Sequence, residues 1–270
     1  MNACHQSRIP LVVHFHGFDA YTDYVLQTFG ESYRILFDIS SAIVGVSNHM
    51  CEQLVQLGAA SSKVHLNPCG AVVNAQHRDR ATEPGNRFAM VGRLVEKKAP
   101  FVSLMAFARL CESVPDATLS VVGDGPLRAA CVQMVRALGL DERVTLYGAR
   151  SHEFALEVLE RSDYFLQHSV RAPNGDMEGT PVGVLEAMGR GLPVISTRHG
   201  GIRDIIWEGK TGILVDEYDV EGMAHGMKTV CLNRERAAGM GQKARESVME
   251  KCTLEKSISG LNQIIKSAMS

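Results

Sequence analysis

The sequence predicts an α/β fold built on parallel sheets that are buried on both faces. Short runs rich in Val, Ile and Leu alternate with longer stretches of helical periodicity, which is the pattern of strand–helix–strand units. The strand-like runs are continuously apolar rather than alternating, as is typical of strands covered by helices on each side. We assign strands to 11–15, 42–46, 88–91, 118–122, 144–147, 164–166, 193–196 and 212–215.

Helices are predicted between these strands, and one polar break divides the chain. The helices fall near 20–37, 48–57, 99–113, 126–138, 152–161, 181–189, 202–208, 219–231, 234–250 and 254–268. The break is polar and contains Pro and Gly, so we interpret 76–87 as a linker. About three strands precede it in a partial domain, 1–75, and about six strand–helix units follow it in a complete doubly wound domain, 88–250. We expect the last segment, 251–270, to form a helix that packs back toward the N-terminal part.

The composition excludes several functional classes. Of 270 residues, 45% are hydrophobic and 21% are charged, which is an ordinary globular balance. A net charge of −2 provides no basic field for nucleic acid. No run of about 18 apolar residues predicts a membrane span, and the start lacks the apolar core of a signal peptide, so we expect a cytoplasmic protein. Seven scattered cysteines without a CxxC pair predict reduced thiols rather than disulfides or a zinc site.

The segment from 178 to 191 predicts a helix whose start can bind an anion. Thr180 suits the N-cap position and Pro181 the first helical position, while Gly191 can end the helix. The first turn then has free backbone N–H groups at Val182 and Gly183, whereas Pro181 has none to donate. Such a helix start attracts phosphate groups.

Two glutamates flank this helix start. Glu178 lies in the loop before the helix and Glu186 lies about one and a half turns inside it. A carboxylate does not favour a neighbouring phosphate, but it accepts hydrogen bonds from hydroxyl groups such as those of a sugar and a ribose. The spacing alone also fits an ordinary surface helix with solvated glutamates.

Two basic residues follow the strand at 88–91. Gly92 allows close approach of the backbone, and Arg93 and Lys98 then lie at the carboxyl edge of the sheet, where open α/β folds bind ligands. Arginine suits bidentate phosphate contacts and lysine adds a compact charge. Alone, the segment fits a solvated basic loop equally well.

A glycine-rich turn follows the strand at 118–122. Gly123-Asp-Gly125 resembles a dinucleotide turn, but Arg128 stands where the third glycine of GxGxxG belongs, so that signal is weak. We interpret the turn as a tight strand–helix connection that lines a nucleotide pocket.

Two histidines and an aspartate lie at the end of the first strand. His14 and His16 share one face of the strand, and Asp19 follows them. A metal-dependent hydrolase could use such a set, since imidazole is a common metal ligand. No further His or Asp cluster with ligand spacing accompanies them, so a polar histidine in a cleft is favoured and no metal site is predicted.

These segments together, in their order, resemble the GT4-type glycosyltransferases, whose signature is two glutamates separated by seven residues. The stretch NGDMEGTPVGVLEAMGRGLPVISTRHGGIRDII at 174–206 resembles the donor-site core of that family, and VGRLVEKKAP resembles its diphosphate loop. VSNHM, NPCGA and HFHGFDAY resemble further family elements. The resemblance is greatest to bacterial enzymes of exopolysaccharide, colanic-acid or lipopolysaccharide assembly. It implies a GT-B fold with a complete Rossmann-like C-terminal domain and a partial Rossmann-like N-terminal domain.

The resemblance also implies a role for each matching residue. Arg93 and Lys98 would hold the donor diphosphate, Glu186 would accept from the ribose, and Glu178 would contact the transferred sugar. His16 would contact the sugar or the acceptor near the reacting centre. The backbone from Gly179 to Gly183 would line the sugar and phosphate, and the base would lie near Gly148, Ala149 and Arg150.

The implied reaction moves a hexose from a nucleoside diphosphate sugar to a hydroxyl with retention of configuration, and it needs no metal or other cofactor. The acceptor would be a sugar or a lipid-linked sugar, with peripheral contact at the inner membrane face. The sequence departs from the family in two ways. Its N-terminal part is shorter than a full partner domain, so an inactive, truncated donor-binding remnant remains an alternative. Ala99 also replaces a more usual glycine, which we expect to tilt the loop.

Overall fold

The computed structural model describes residues 4, 7, 9–73 and 85–269 and contains two parallel sheets. The predicted linker at 76–87 lies mostly outside the described residues, and Arg87 already opens the first strand of the second sheet. The proposed domain boundaries therefore stay predictions. In the described part of the chain, no helix is long and apolar enough to cross a membrane. All seven cysteines lie within the described residues and are free.

The first sheet has three parallel strands in the order β1-β2-β3. Its strands are β1 (Val12–Phe15), β2 (Ala42–Gly45) and β3 (Val64–Leu66). Its helices are α1 (Phe18–Tyr21), α2 (Asp23–Ile39) and α3 (Asn48–Gln56). The single helix predicted at 20–37 is wrong, because Thr22 is extended and the Asp23 N–H donates to the Asn174 carbonyl instead of continuing a helix.

The second sheet has six parallel strands in the order β6-β5-β4-β7-β8-β9. The strands are β4 (Arg87–Val91), β5 (Thr118–Val122), β6 (Val144–Gly148), β7 (Tyr164–Gln167), β8 (Val194–Thr197) and β9 (Gly212–Val215). This order is that of a doubly wound dinucleotide-type sheet, so the predicted α/β class and the complete C-terminal Rossmann-like domain are confirmed.

Helices cover both faces of the large sheet. They are α4 (Pro100–Cys111), α5 (Arg128–Ala137), α6 (His152–Arg161), α7 (Val182–Gly189), α8 (Ile202–Ile205), α9 (Val220–Leu232) and α10 (Arg234–Lys251). One apolar cluster joins β4, β5 and β7 to α4, α5 and α9, and a second joins β7 and β8 to α6, α7 and α10. The large sheet therefore lies between two separate hydrophobic cores.

The C-terminal helix α11 (Leu254–Met269) packs on the small sheet. Asn67 donates its side-chain N–H to the Ser257 carbonyl at 3.2 Å, and the Ser257 hydroxyl donates to the Pro68 carbonyl at 2.8 Å. Cys252 lies between the last two helices, and its carbonyl accepts the Ala71 N–H at 2.9 Å. The chain thus returns to the N-terminal part after completing the large sheet.

The site is positioned by the reversal of strand order between β4 and β7. Adjacent parallel strands whose connections run to opposite faces leave a crevice at their carboxyl ends, and ligands bind there in open α/β folds. The carboxyl edge of the small sheet packs against the same region: the Thr180 hydroxyl donates to the Val46 carbonyl, and the Asn48 N–H donates to Asp204 at 2.6 Å. We call the small sheet with its helices the small lobe (9–73) and the large sheet with its helices the large lobe (85–251). Both lobes therefore meet at the crevice.

Candidate functional site

A largely buried ion pair marks the crevice. The Lys98 ammonium, at the end of the 3₁₀ turn Glu96–Lys98, lies 2.9 Å from Oε1 of Glu178, and the two side chains are 18% and 7% exposed. The lysine stem crosses Gly92, since a Cβ atom added there would lie 3.1 Å from it. The structure thus brings together two residues that are 80 positions apart and that the sequence predicted for one site.

A ring of polar groups holds this pair. The Lys98 ammonium also donates to Gln167 Oε1 at 3.2 Å. The Gln167 amide donates to the Ser169 hydroxyl at 3.0 Å, and that hydroxyl donates to Glu178 Oε1 at 3.5 Å. Because the donors and acceptors are matched around the ring, these groups hold one another in place.

The environment keeps Glu178 ionised. Burial acts to raise the pKa of its carboxyl, but the charges of Lys98 and Lys97 outweigh that effect, so the pKa lies below its usual value. Glu178 is therefore a carboxylate at neutral pH, able only to accept hydrogen bonds.

A second lysine–carboxylate pair holds the neighbouring loop. The Lys97 ammonium donates to Asp176 Oδ1 at 3.0 Å and to the Met177 carbonyl at 3.2 Å, with both side chains nearly buried. Two consecutive lysines thus bind two carboxylates that are two residues apart. Lys97 and Asp176 were not predicted from the sequence, although Lys97 adjoins Lys98 and Asp176 lies two residues before Glu178.

Helix α7 begins one residue later than predicted, and Thr180 is not its N-cap. Pro181 occupies the N-cap position without a side-chain cap, while Thr180 contacts the other lobe. The N–H groups of Val182 and Gly183 take part in no described hydrogen bond, so the predicted open helix start is present. Gly183 lies against the end of β4, where an added Cβ atom would be 3.0 Å from the Val91 carbonyl oxygen.

The second glutamate of the signature lies on α7. Glu186 is buried, and its Oε1 lies 2.6 Å from Nε2 of His152, at the start of α6. Its other oxygen accepts no described hydrogen bond. The sequence reasoning overlooked His152, which connects Glu186 to the loop at 148–150.

The predicted base-binding segment lies at the outer side of the crevice. Gly148 ends β6 with a φ of 72°, and Arg150 lies over the ring of Phe154 at 5.5 Å. Ala149 is exposed between them. Since β6 is two strands from β4, this segment lies about 10 Å from Gly92, a separation that fits a base and a diphosphate on one nucleotide.

The remaining predicted donor residue is Arg93. Its side chain is exposed beside Lys98, and it makes no hydrogen bond or ion pair within the described part of the chain. It is therefore a cation at the rim of the crevice.

The glycines of the turn after β5 have a packing role. A Cβ atom added at Gly123 would lie 1.9 Å from the Gly92 carbonyl oxygen, and one at Gly125 would lie 2.5 Å from that of Leu94. The turn also hydrogen-bonds the loop after β4, since the Leu94 N–H donates to the Asp124 carbonyl at 2.9 Å. The glycines thus let two loops at the carboxyl edge pack backbone against backbone.

The structure places His16 next to the Glu178 loop. Its side chain is exposed, and its carbonyl oxygen would lie 2.6 Å from a Cβ atom added at Gly179. The Asp19 carboxylate accepts the backbone N–H groups of His16 and Gly17, so it is engaged in the local turn. The imidazoles of His14 and His16 are 4.2 Å apart, but no group of three metal-ligating side chains occurs within residues 9–73 and 85–269.

The loop after β8 holds the backbone of Glu178. The Glu178 N–H donates to Nε2 of His199 at 3.2 Å, and the Gly201 N–H donates to the Glu178 carbonyl at 3.3 Å. His199 in turn lies 2.6 Å from Glu217. These residues follow β8 and β9, so the rule that ligands bind at carboxyl strand ends was the signal that could have found them.

The chain is similar to several known proteins. The family model for glycosyl transferases group 1 matches residues 74–247. The amylovoran biosynthesis glycosyltransferase AmsK of Erwinia amylovora is 31% identical over 213 residues, covering 78% of this chain and 52% of that protein. The putative colanic acid biosynthesis glycosyltransferase WcaL of Escherichia coli (strain K12) is 29% identical over 237 residues, covering 87% and 58%. The chain thus spans about half the length of the curated relatives it matches.

Solved structures show the same fold. Anabaena Alr3699/HepE in complex with UDP and glucose superposes with a TM-score of 0.82 at 19% identity, covering 98% of this chain and 74% of that one. The pneumococcal O-GlcNAc transferase GtfA in complex with UDP and GlcNAc gives 0.78 at 15% identity, covering 98% and 54%. The GT-B-like architecture is confirmed, and the match of the family model to most of the sequence shows that this chain belongs to the group 1 glycosyltransferases.

Proposed function

We propose that the crevice between β4 and β7 binds a nucleoside diphosphate sugar and that the protein transfers its hexose to a hydroxyl acceptor in the synthesis of a bacterial surface polysaccharide. The observation that carries the proposal is the largely buried Lys98–Glu178 pair at the strand-order reversal of a doubly wound sheet. It puts a cation for the diphosphate and a carboxylate for sugar hydroxyls within one hydrogen-bonded unit.

The two glutamates are suited to hydroxyl recognition. Glu178 and Glu186 each use Oε1 in described contacts, and neither uses Oε2. A buried carboxylate with one free oxygen favours a ligand that donates a hydrogen bond. We assign the hydroxyls of the transferred sugar to Glu178 and those of the ribose to Glu186.

The diphosphate is assigned to three groups around the start of α7. The Lys98 ammonium has three N–H donors, of which Glu178 and Gln167 take two, so one is left for a phosphate oxygen. Arg93 and the N–H groups of Val182 and Gly183 supply the remaining donors.

Catalysis would rest on charge stabilisation. As the bond to the transferred sugar breaks, negative charge develops on the leaving diphosphate, next to Lys98, Arg93 and the helix start. Removing one such donor typically costs about 10²–10³ in rate. Retention of configuration, a contact of His16 with the sugar or the acceptor, and the absence of a metal requirement are parts of the same proposal.

The acceptor side is proposed more coarsely. Relatives named for amylovoran and colanic acid biosynthesis favour a sugar or lipid-linked sugar acceptor. A lipid-linked acceptor would place the protein in the cytoplasm at the inner membrane face.

The proposal is tested by calorimetric titration with UDP-, GDP- and ADP-sugars. We expect one nucleoside diphosphate sugar to bind, and Lys98→Ala to weaken that binding about 10- to 100-fold through loss of a charge-assisted contact. Glu186→Ala should weaken it through the ribose. A folded protein that binds none of these donors would contradict the proposal.

Transfer is measured separately, with a radiolabelled form of the donor that binds and a panel of sugar and lipid-linked acceptors. Product formation or donor hydrolysis supports an enzyme. Binding without either would favour the alternative of a donor-binding protein without activity. A metal-dependent hydrolase would instead lose its activity on chelation.

A further inference from the structure

Glu178 is held by a chain of buried groups that reaches the loop after β9. Its N–H donates to Nε2 of His199, which is fully buried, at 3.2 Å. Nδ1 of His199 lies 2.6 Å from Oε1 of Glu217, and Oε2 of Glu217 accepts the Arg171 N–H at 3.1 Å. This series of hydrogen bonds therefore joins the segments after β7, β8 and β9, and it supports the loop that carries the Glu178 carboxylate.

The direction of these hydrogen bonds follows from chemistry. A backbone N–H can only donate, so Nε2 of His199 must be the unprotonated, accepting nitrogen. The ring proton is then on Nδ1, from which it donates to Glu217. A carboxylate that accepts the proton of one ring nitrogen fixes the tautomer and the orientation of the imidazole, and so leaves the other nitrogen as an acceptor.

The loop after β9, which carries Glu217, is also held by a second histidine. The Tyr218 N–H donates to Nε2 of His168 at 2.8 Å, and His168 is fully buried. Tyr218 has a φ of 64°, in the left-handed region. Two buried histidines on neighbouring strand ends thus fix the loop that carries Glu217, which makes that carboxylate a rigid support.

We propose that His199, oriented by Glu217, is a positioning residue that holds Glu178 where the transferred sugar binds. This inference rests on the proposed donor site, since it requires Glu178 to contact the sugar. The Glu178 side chain is fixed by Lys98 and Ser169, while its backbone is fixed by His199. Losing the backbone contact should therefore weaken the sugar contact more than the diphosphate and base contacts, to which Arg93, the start of α7 and the loop at 148–150 also contribute.

The first arm of the test measures the tautomer of His199 directly. Long-range ¹H–¹⁵N spectra of the full chain at neutral pH separate Nδ1–H from Nε2–H histidines, and the His199→Gln spectrum identifies the His199 signal by its absence. The Nδ1–H form is expected. The Nε2–H form would overturn the proposed hydrogen bonds from Glu178 to His199 and from His199 to Glu217. This measurement is decisive whether or not a donor binds.

The second arm compares affinities for UDP-glucose with UDP, GDP-mannose with GDP, and ADP-glucose with ADP. For the pair that binds, His199→Ala should lower affinity for the sugar nucleotide about 5- to 10-fold relative to the nucleoside diphosphate, as expected for one hydrogen bond. His199→Gln keeps both an acceptor and a donor, so it should restore most of the difference. His225→Ala, on an exposed position of α9, serves as the control.

If a His199 variant fails to fold, two substitutions of Glu217 provide the same comparison. Glu217→Gln retains an acceptor for the Nδ1–H and should behave like the wild type, whereas Glu217→Ala should lower affinity for the sugar nucleotide relative to the nucleoside diphosphate, as His199→Ala does. Equal losses for the nucleoside diphosphate and its sugar, or no loss at all, would overturn the inference. Failure of the wild type to bind any of the six compounds would overturn the proposed donor site instead.

Discussion

The two sheets of the protein differ in how completely they are covered. In the large sheet, β7 and β8 are buried along their whole length, and helices pack on both faces. In the small sheet only β2 is buried throughout, β1 and β3 are edge strands, and α11 covers it without burying any of its own residues. The crevice residues Lys98, Glu178 and Glu186 are thus better covered than His16, which is exposed and follows the edge strand β1.

The largest difference in stability between the two regions should appear when one lysine is removed from each. Lys98→Ala leaves Glu178 buried without its cation, which should lower the free energy of unfolding by about 3–5 kcal/mol. Lys63 of the small lobe donates to the Phe37 and Asp38 carbonyls at the end of α2, so Lys63→Ala should cost only about 1 kcal/mol. Urea denaturation measures both.

A double variant sharpens this result. Lys98→Ala combined with Glu178→Gln removes the uncompensated charge, so it should recover part of the loss. If the single and double variants were equally destabilised, the buried charge would not be the cause.

Close packing of the loops on the large sheet predicts the next effect. Gly123→Ala brings a methyl group against the Gly92 carbonyl at a φ of 145°, and neither backbone segment can yield cheaply. We expect a loss of about 3 kcal/mol in unfolding free energy. At Gly139, with a φ of 65° and no atom within 4 Å of an added Cβ, alanine should cost only about 1 kcal/mol. Equal effects would show that the loops can move apart.

Acid should destabilise the large lobe through His168. Burial lowers the pKa of His168 to about 4 from its ordinary 6.5. Between these values the unfolded chain binds a proton that the folded chain does not, so stability falls as pH falls through this window, by about 3 kcal/mol in all. Denaturation of wild type and His168→Gln across pH 4–7 tests this, since the variant should lose that part of the acid sensitivity. Identical pH profiles would contradict it.

The contact between the lobes predicts the smallest effect. Thr180→Val conserves shape but leaves the Val46 carbonyl without its donor, so unfolding should become easier by about 1 kcal/mol. Thermal unfolding measures the change, and Ser113→Ala, on a single turn-local hydrogen bond after α4, is the comparison. A larger loss with Thr180→Val than with Lys98→Ala would reverse the ranking of the two regions.

Much of the large lobe could be predicted from the sequence. Its strands are continuous apolar runs, so all six were assigned within one or two residues, and the open start of α7 followed from Pro181. Strand β3 was not assigned because it has three residues, one of them His65. The break at Thr22 escaped prediction because it depends on a hydrogen bond to Asn174 in the other lobe.

The site could be predicted in part. Lys98 was singled out at a strand end and Glu178 before a helix start, and the resemblance joined them in one site, but their direct contact depends on the order of the strands, which no local pattern encodes. Thr180 was assigned as an N-cap because its sequence position suits one, yet it donates to the small lobe instead. His152, His199 and Glu217 are brought in by tertiary packing, so only the rule about carboxyl strand ends could have suggested them.

The measurement that tests the central claim most directly is hydrogen–deuterium exchange with and without the UDP-, GDP- or ADP-sugar that binds in titration. The large-sheet crevice should become protected at 92–98, 148–152 and 178–186, while the strands of the small sheet should exchange unchanged at 12–15, 42–45 and 64–66. Protection confined to the small sheet or to α9 and α10, or no protection in the crevice at saturating donor, would contradict the account.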